Sequence, residues 1–171
     1  MSTAFRLQLP VAVRDGMVAQ ARAELPNECV GWLAGRIAGT RGIVRKRYAF
    51  ANALASPREF SAEPADLFAA HKDMRRLGLE LLAIYHSHPT SRPVPSRTDL
   101  ERNFWGPGIV NFIISLEFPT PRLRGWRLDA DSFRPAEWEL VVSPRVWSSS
   151  RVWQNAATCR ARPFRACLPA H

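Results

Sequence analysis

Two histidines at alternate positions, in the segment His86-Ser87-His88-Pro89, are the residues whose types and spacing first point to chemistry. They follow an apolar stretch at residues 79–85 with one leading charge, Glu80, and this stretch predicts a β-strand. Because side chains alternate along a strand, we expect both imidazoles on one face, at the exposed end of that strand. Two imidazoles in this arrangement can reach a single metal ion.

Asp99 supplies a third candidate ligand. It stands at a predicted helix start, one short loop after the histidines. Zinc accepts imidazole and carboxylate ligands, and three protein ligands leave a fourth position for water, as in catalytic zinc sites. The pair Ser96 and Asp99 also has the spacing of a helix N-cap followed by an acid, which alone would only stabilise a helix start. The metal interpretation therefore depends on the joint spacing of all these residues.

Other metal motifs with closely spaced histidines do not match. A cupin has a glutamate a few residues after its HxH pair, where this chain has Ser91, Arg92 and Pro93. Amidohydrolase barrels need about 250 residues, zincins need HExxH, and zinc deaminases need HxE with PCxxC. The length of 171 residues and the motif itself exclude these classes.

The complete pattern resembles the JAMM motif of the JAB/MPN/Mov34 metallopeptidases. The residues that carry the resemblance are Glu28, His86, His88, Ser96 and Asp99. The similarity covers roughly residues 5–142, and the segments Pro26–Gly35 and Tyr85–Pro89 are most similar to the small stand-alone bacterial JAB-domain proteins. It implies a JAB/MPN (cytidine-deaminase-like) domain, an α/β fold with a single mixed, mostly antiparallel sheet flanked by helices.

The resemblance implies a role for each motif residue. His86, His88 and Asp99 would hold one zinc ion per chain, which is the implied cofactor. Zinc lowers the pKa of bound water to about 7, and Glu28 would act as general base and general acid, passing the water's proton to the leaving amine. The Ser96 hydroxyl would donate a hydrogen bond to the oxyanion of the tetrahedral intermediate.

An enzyme is therefore expected, a JAMM-type zinc metallopeptidase that cleaves peptide or isopeptide bonds in the manner of an isopeptidase or deubiquitinase. The implied partner is its substrate, the C-terminal tail of a ubiquitin-like or sulfur-carrier protein joined to lysine or to a small amine. A second hypothesis is a non-catalytic MPN-like binding or scaffold module. Family members of that kind lack the metal ligands, whereas this chain retains them.

The surrounding pattern predicts one JAB/MPN domain over residues 1–144. Alternating or continuous apolar segments predict strands at 5–9, 29–34, 42–50, 79–85, 108–116, 122–128 and 138–142. Amphipathic segments predict helices at 13–25 and 64–77, the first ended by Pro26 and the second by Gly78. The uniformly apolar strand at 108–116 is expected at the centre of the sheet.

Four further residues have structural interpretations. Cys29 is expected to be a small buried hydrophobic residue, because no basic residue adjoins it in sequence. His71 is expected on the surface of the second helix. Trp32 and Tyr85 are expected in or near the core, with a place along the substrate groove as the alternative.

Two segments, 51–60 and 90–95, are expected to border the cleft and to influence the choice of substrate. Each contains an arginine, Arg58 in the first and Arg92 in the second. These arginines either meet an acidic partner or a terminal carboxylate, or are solvated surface residues.

The net charge of +9 is concentrated near the C-terminus. All 15 acidic residues precede position 145, and residues 145–171 contribute five arginines and no acid. With no sustained apolar period, this segment predicts a basic, disordered tail. Stacking of its arginines and aromatic residues on single-stranded nucleic acid is a third hypothesis.

The composition, 46% hydrophobic and 23% charged residues, is that of a globular protein. No apolar run approaches the roughly 18 residues of a membrane span, so no membrane partner is expected. We find no signal peptide pattern and no CxxC pair, and the three cysteines cannot form a closed disulfide set. The expected location is the cytoplasm.

Overall fold

The computed structural model describes residues 5–142, which form one sheet of eight strands and three helices. The strands are β1 (Arg6–Pro10), β2 (Val30–Ala38), β3 (Arg41–Phe50), β4 (Glu80–His88), β5 (Val110–Ser115), β6 (Arg122–Leu128), β7 (Phe133–Pro135) and β8 (Trp138–Val141). The helices are α1 (Val11–Ala23), α2 (Pro64–Leu77) and α3 (Arg97–Glu101). The predicted tail, 145–171, lies outside the described residues.

The sheet is mixed and mostly antiparallel, as predicted. Its strand order is β7-β6-β5-β4-β2-β3-β1-β8. Four neighbouring pairs are antiparallel, and the parallel pairs are β1 with β3, β1 with β8, and β4 with β5. The sheet curls, so that Trp138 of the edge strand β8 packs edge-on against Phe112 of β5.

Each large helix packs with its own cluster of buried side chains from the sheet. Helix α1 contributes Met17 and Ala21 to a cluster that contains Leu7, Phe112 and Tyr85. A second cluster combines two buried residues of α2, Ala70 and Met74, with five from the strands, which are Val30, Trp32, Ala34, Phe50 and Ile84. All six residues of β5 are buried, which confirms its predicted central place.

The structure moves several predicted boundaries. Strand β2 continues to Ala38 instead of ending at residue 34, so the reversal occurs at Gly39 and Thr40. Gly39 takes a φ of +60°, which glycine tolerates without strain. Helix α1 lies two residues earlier than its apolar period indicated. Strand β7 was not predicted, because three residues carry too little alternation to be recognised.

Helix α2 begins at Pro64 and ends at Leu77, as predicted. Proline suits the first helical position, since its missing N–H would have no partner there. Gly78 closes the helix in the left-handed conformation, with a φ of +62°. None of the helices within residues 5–142 is long and apolar enough to cross a membrane.

Candidate metal centre

Strand β4 carries both histidines inside the sheet. The strand extends through His88, hydrogen-bonded in parallel to β5, with β2 pairing antiparallel as far as His86. His86 is 1% exposed and His88 is 6% exposed. The expectation of an exposed strand end was therefore wrong, because the pairing of β4 with β5 continues past the apolar run. The expectation of a shared face is confirmed, since the two Nε2 atoms lie 3.1 Å apart.

Asp99 meets the two imidazoles from helix α3. Its Oδ1 lies 3.2 Å from His86 Nε2, and its Oδ2 lies 3.6 Å from His88 Nε2. The three candidate ligand atoms are all within 4.8 Å of one another. The Asp99 side chain is only 7% exposed. Residues from a strand and from the following helix start thus converge on one small volume, as their spacing predicted.

A backbone carbonyl orients His88. The Nδ1–H of His88 donates to the Arg92 carbonyl at 2.9 Å, so Nε2 is the ring nitrogen that faces Asp99 and His86. Metal-binding histidines commonly donate their second ring nitrogen in this way, which fixes the ring and its tautomer. Sequence reasoning missed this contact, because a backbone acceptor carries no residue-type signal.

The ring of Phe60 covers His86. The two rings stack with their centroids 4.5 Å apart and an angle of 24° between their planes. His86 Nδ1 is buried and has no hydrogen-bond partner among the described residues. Phe60 lies in the turn-rich segment after β3, where no periodicity singled it out.

The donor set fits a zinc ion. Two imidazole nitrogens and a carboxylate are the ligand types that zinc accepts. With both Nε2 atoms unprotonated, their lone pairs would face each other across 3.1 Å, and a cation among them would remove that repulsion. The residues present are therefore compatible with the cofactor that the sequence motif implies.

The electrostatics of Asp99 favour its charged form. Burial by itself would raise the pKa of Asp99. The nearby His86 charge, together with hydrogen bonds from His86, His88 and Ser96, instead holds it well below its usual range. Burial likewise opposes protonation of His88, but hydrogen bonds to Asp99 and to the Arg92 carbonyl give a raised pKa overall. The carboxylate is thus available as a ligand.

Glu28 reaches the same site across the sheet. Val30 pairs with His86 in the antiparallel register, which places Glu28 opposite His88. Hydrogen bonds between Cys29 and Ser87 continue this pairing beyond the strand: Cys29 N–H donates to Ser87 Oγ (2.8 Å), and Ser87 N–H donates to the Cys29 carbonyl (3.2 Å). The register therefore brings together residues that lie far apart in the sequence.

The Glu28 carboxyl is buried beside the ligands. The residue is 4% exposed. Burial raises its pKa above the ordinary value of 4.5, against the opposing charges of His86 and His88. The backbone is held on both sides, with the Glu28 N–H donating to the Ser56 carbonyl and Asn52 Nδ2 donating to the Glu28 carbonyl. A buried carboxyl with a raised pKa is suited to accept and return a proton.

Ser96 forms a capping box with Asp99. The Ser96 hydroxyl donates to Asp99 Oδ2 (2.7 Å) and accepts from the Asp99 N–H (3.2 Å), while the Ser96 N–H donates to the same carboxylate oxygen. These bonds start α3 and fix the Asp99 side chain. The hydroxyl proton is thus committed to Asp99, and the predicted oxyanion role requires the hydroxyl to turn toward the substrate.

A cavity of about 540 Å³ opens beside the candidate metal centre. His86 and Asp99 contribute to its wall, and the residues of the segment after β3 that line it include Leu54, Arg58 and Phe60. The expectation that 51–60 borders the cleft is thus met. Segment 90–95 was expected there too, but the structure places it on a different cavity.

Cys29, Trp32 and Tyr85 are buried and His71 is exposed, as expected. Cys29 is fully buried, and burial raises the pKa of its thiol to about 12, so it is no nucleophile. His71 is exposed, with its ring packed edge-on against Trp32. Tyr85 and Trp32 are buried, and Trp32 also lines the cavity.

Comparison with known proteins identifies the family. Residues 10–129 match the family described as prokaryotic homologs of the JAB domain, and the chain belongs to that family. A solution structure of a Desulfitobacterium hafniense protein superposes with a TM-score of 0.74 at 34% identity, covering 81% of this chain and 95% of the other. A Salinibacter ruber protein gives a TM-score of 0.57 at 28% identity, covering 82% and 92%. The predicted fold is confirmed.

Three named proteins are similar to this chain in sequence. A desampylase of Haloferax volcanii is 34% identical over 137 residues, which is 77% of this chain and 94% of that protein. A probable TtuB-protein conjugate cleaving protease of Thermus thermophilus is 38% identical over 102 residues, 57% of this chain and 66% of that protein. A CysO-cysteine peptidase of Mycobacterium tuberculosis is 29% identical over 99 residues, which is 58% of this chain and 66% of that protein.

Proposed function

We propose that this protein is a zinc-dependent hydrolase of the JAMM type. It cleaves peptide or isopeptide bonds at the C-terminal tail of a ubiquitin-like or sulfur-carrier protein adduct. The observation that carries the proposal is the buried Glu28 carboxyl opposite His88, beside three convergent ligand atoms. The names of the relatives, a conjugate cleaving protease and a CysO-cysteine peptidase, support the choice of substrate.

His86, His88 and Asp99 would hold one zinc ion per chain. When bound, zinc supplies a Lewis acid for the scissile carbonyl and lowers the pKa of water to about 7. The carbonyl of Arg92 holds the His88 ring with Nε2 toward Asp99 and His86, and the Ser96 N–H holds the Asp99 carboxylate in place. The protein thereby fixes the ligand geometry before any substrate arrives.

Glu28 moves the proton. Its carboxylate takes a proton from the attacking water and delivers it to the nitrogen of the leaving amine, so that one side chain serves as base and then as acid. The raised pKa brings this carboxyl closer to the working pH, which improves both transfers. Ser96 donates to the developing oxyanion once its hydroxyl leaves Asp99.

The 540 Å³ cavity receives the residues of the substrate next to the scissile bond, since His86 and Asp99 form part of its wall.

The proposal includes residues 1–144 as the catalytic domain, followed by a basic tail. It also places the protein in the cytoplasm, where a buried, reduced thiol such as that of Cys29 is usual.

Metal content tests the proposal directly. Wild-type protein, His88→Ala and the matched control His71→Ala are purified without a histidine tag and analysed for elements after zinc addition and desalting. We expect about one zinc per chain in the wild type and in His71→Ala, and loss of it in His88→Ala. His71 is the matched control because it is an exposed histidine outside the metal centre.

Cleavage of a conjugate completes the test. The probe is a ubiquitin-like protein joined through its C-terminal carboxyl to the lysine of a fluorescent peptide. We expect zinc-dependent release of the peptide by wild type and none by His88→Ala. Absence of zinc from the loaded wild type, or no release by zinc-loaded wild type, would favour the non-catalytic scaffold.

A further inference from the structure

A second cavity, of about 360 Å³, collects three arginine side chains. Its lining consists of Arg92, Pro93, Val94, Phe118, Arg122 and Arg124. It shares no lining residue with the cavity at the metal centre. We call it the arginine cavity.

Strand β6 and the loop after β4 bring these arginines together. Arg122 and Arg124 are two positions apart on β6 and share one face. Trp126 follows on the same face, and its Nε1–H donates to the Pro93 carbonyl (2.9 Å), so this face lies against the loop that carries Arg92.

The loop wall of the cavity is tied down at successive residues. Ser115 Oγ donates to the Ser91 carbonyl (2.7 Å), and His88 Nδ1–H donates to the Arg92 carbonyl (2.9 Å). Together with the bond from Trp126, these contacts hold three consecutive carbonyls. The arginine cavity is therefore preformed, and its wall contacts a candidate metal ligand.

The positive charge of the cavity has no partner within the described chain. Five other arginines make ion pairs: Arg6, Arg14, Arg76, Arg97 and Arg102. Within residues 5–142, no carboxylate lies within 4.0 Å of the guanidinium groups of Arg92, Arg122 or Arg124. Three like charges at one cavity repel one another, and a bound anion would relieve that repulsion.

The cavity also offers apolar surface. The Arg122 guanidinium stacks over the Phe118 ring, 3.7 Å from its centroid, which orients the charge. Pro93 and Val94 add apolar contacts. A small inorganic anion would use the arginines and leave this surface unused, whereas an acidic peptide segment offers carboxylates and methylene groups together.

We propose that the arginine cavity binds an acidic segment of the protein substrate, through carboxylate contacts to Arg92, Arg122 and Arg124. The identification of the partner as substrate rests on the proposed function. Because the Arg92 carbonyl holds His88, a segment bound here lies next to the metal centre and helps to select the conjugate. Cleavage of the C-terminal bond and recognition of the acidic segment then use separate cavities.

Peptide binding to the full chain tests the cavity without any need for catalysis. The probes are fluorescein-labelled hexaglutamate and hexaglutamine, followed by fluorescence anisotropy at low salt. The variant Arg122→Glu/Arg124→Glu is compared with Arg41→Glu/Arg45→Glu, which changes the net charge equally at two exposed arginines of β3. We expect hexaglutamate affinity to fall at least about tenfold in the first variant and less than about twofold in the second.

Three controls keep the result decisive. Circular dichroism melts show whether the variants fold, and Arg122→Gln/Arg124→Gln replaces the first variant if it does not. Arg92→Ala, which retains the carbonyl bonded to His88, is expected to weaken binding as well. A labelled six-nucleotide oligothymidylate is tested alongside, and tighter binding of this probe, lost in the cavity variant alone, would overturn the proposal in favour of nucleic acid.

Cleavage assays separate this inference from the proposed function. For a ubiquitin-like conjugate, we expect the cavity variant to raise KM about tenfold with kcat unchanged, and to cleave a short tail-peptide amide like the wild type. Equal hexaglutamate binding by the two charge-matched variants overturns the cavity proposal even if the wild type is active. If the wild type cleaves nothing, loss of hexaglutamate binding still supports the anion site while the proposed hydrolase fails.

Discussion

The two faces of strand β4 differ in how the polar groups of neighbouring residues are hydrogen-bonded. On one face, the Tyr85 hydroxyl donates to Gln20 Oε1 and accepts from Arg47. Gln20 in turn donates to the carbonyls of Val30 and Phe50. On the other face, His86 and His88 point their Nε2 atoms at each other, and His86 Nδ1 has no partner among the described residues.

Stability and chemistry are divided between these two faces of β4. The Tyr85 face is a fully satisfied polar network around a buried ring, which specifies the packing of α1 on the sheet. The histidine face carries a buried Glu28 carboxyl with a raised pKa and crowded imidazoles, which are costly in a folded protein. In a purely structural core, a buried carboxyl and crowded imidazoles would only lower stability. In a hydrolytic metal site, the same groups are required as ligands and as the proton carrier.

The largest expected effect is on activity. Glu28→Gln keeps the shape of the side chain and removes its basicity, so we expect kcat on the conjugate to fall by about 10²–10⁴-fold. Zinc content should remain near that of the wild type, because Glu28 is not a proposed ligand. Tyr85→Phe is the matched control from the opposite face and should lower the melting temperature while leaving kcat within about threefold. A fully active Glu28→Gln enzyme would contradict the assigned role.

The next effect is on stability and comes from Gly31, which pairs with Tyr85 across β2 and β4. A Cβ at Gly31 would collide with the Tyr85 ring and with the Tyr48 carbonyl. We expect Gly31→Ala to reduce the free energy of unfolding by about 3 kcal/mol, at the upper end of overpacking costs, because the backbone cannot yield. Chemical denaturation measures it, with Gly108→Ala as the control, since a Cβ there meets no atom within 4 Å. Equal unfolding of the two variants would refute the packing of Tyr85.

The smallest effect concerns the pH dependence of stability in the metal-free protein. Burial raises the pKa of Glu28 above 4.5, so the folded state binds this proton more tightly than the unfolded state does. Its contribution to stability is present below pH 4.5 and is lost as the pH rises through the folded pKa. We therefore expect Glu28→Gln, treated with chelator, to melt above wild type near neutral pH. The difference in melting temperature should vanish below about pH 4.5. A variant that melts below wild type at neutral pH would instead show that the Glu28 carboxylate is favourably paired.

Much of the fold followed from local patterns. The helix at Pro64–Leu77 and the strand at Arg122–Leu128 have their predicted bounds, because proline, glycine and side-chain alternation act over a few residues. The buried continuation of β4 through His88 was not predicted, since it results from hydrogen bonds to β5, whose residues follow much later in the chain. Strand β7 was missed for a similar reason: three residues become a strand only by pairing with β6.

For the candidate site too, some features were predicted from the sequence and others were decided only by the tertiary structure. Residue types and spacing in the sequence indicated His86, His88 and Asp99, and the resemblance to the JAMM motif added Glu28 and Ser96. Only the tertiary structure decided that Glu28 lies buried opposite His88, that the Ser96 hydroxyl is bonded to Asp99, and that three arginines share one cavity. The physical reason is range: ligand chemistry and helix caps are encoded by neighbours along the chain, whereas burial, and the pKa values it shifts, depends on strand register between distant segments.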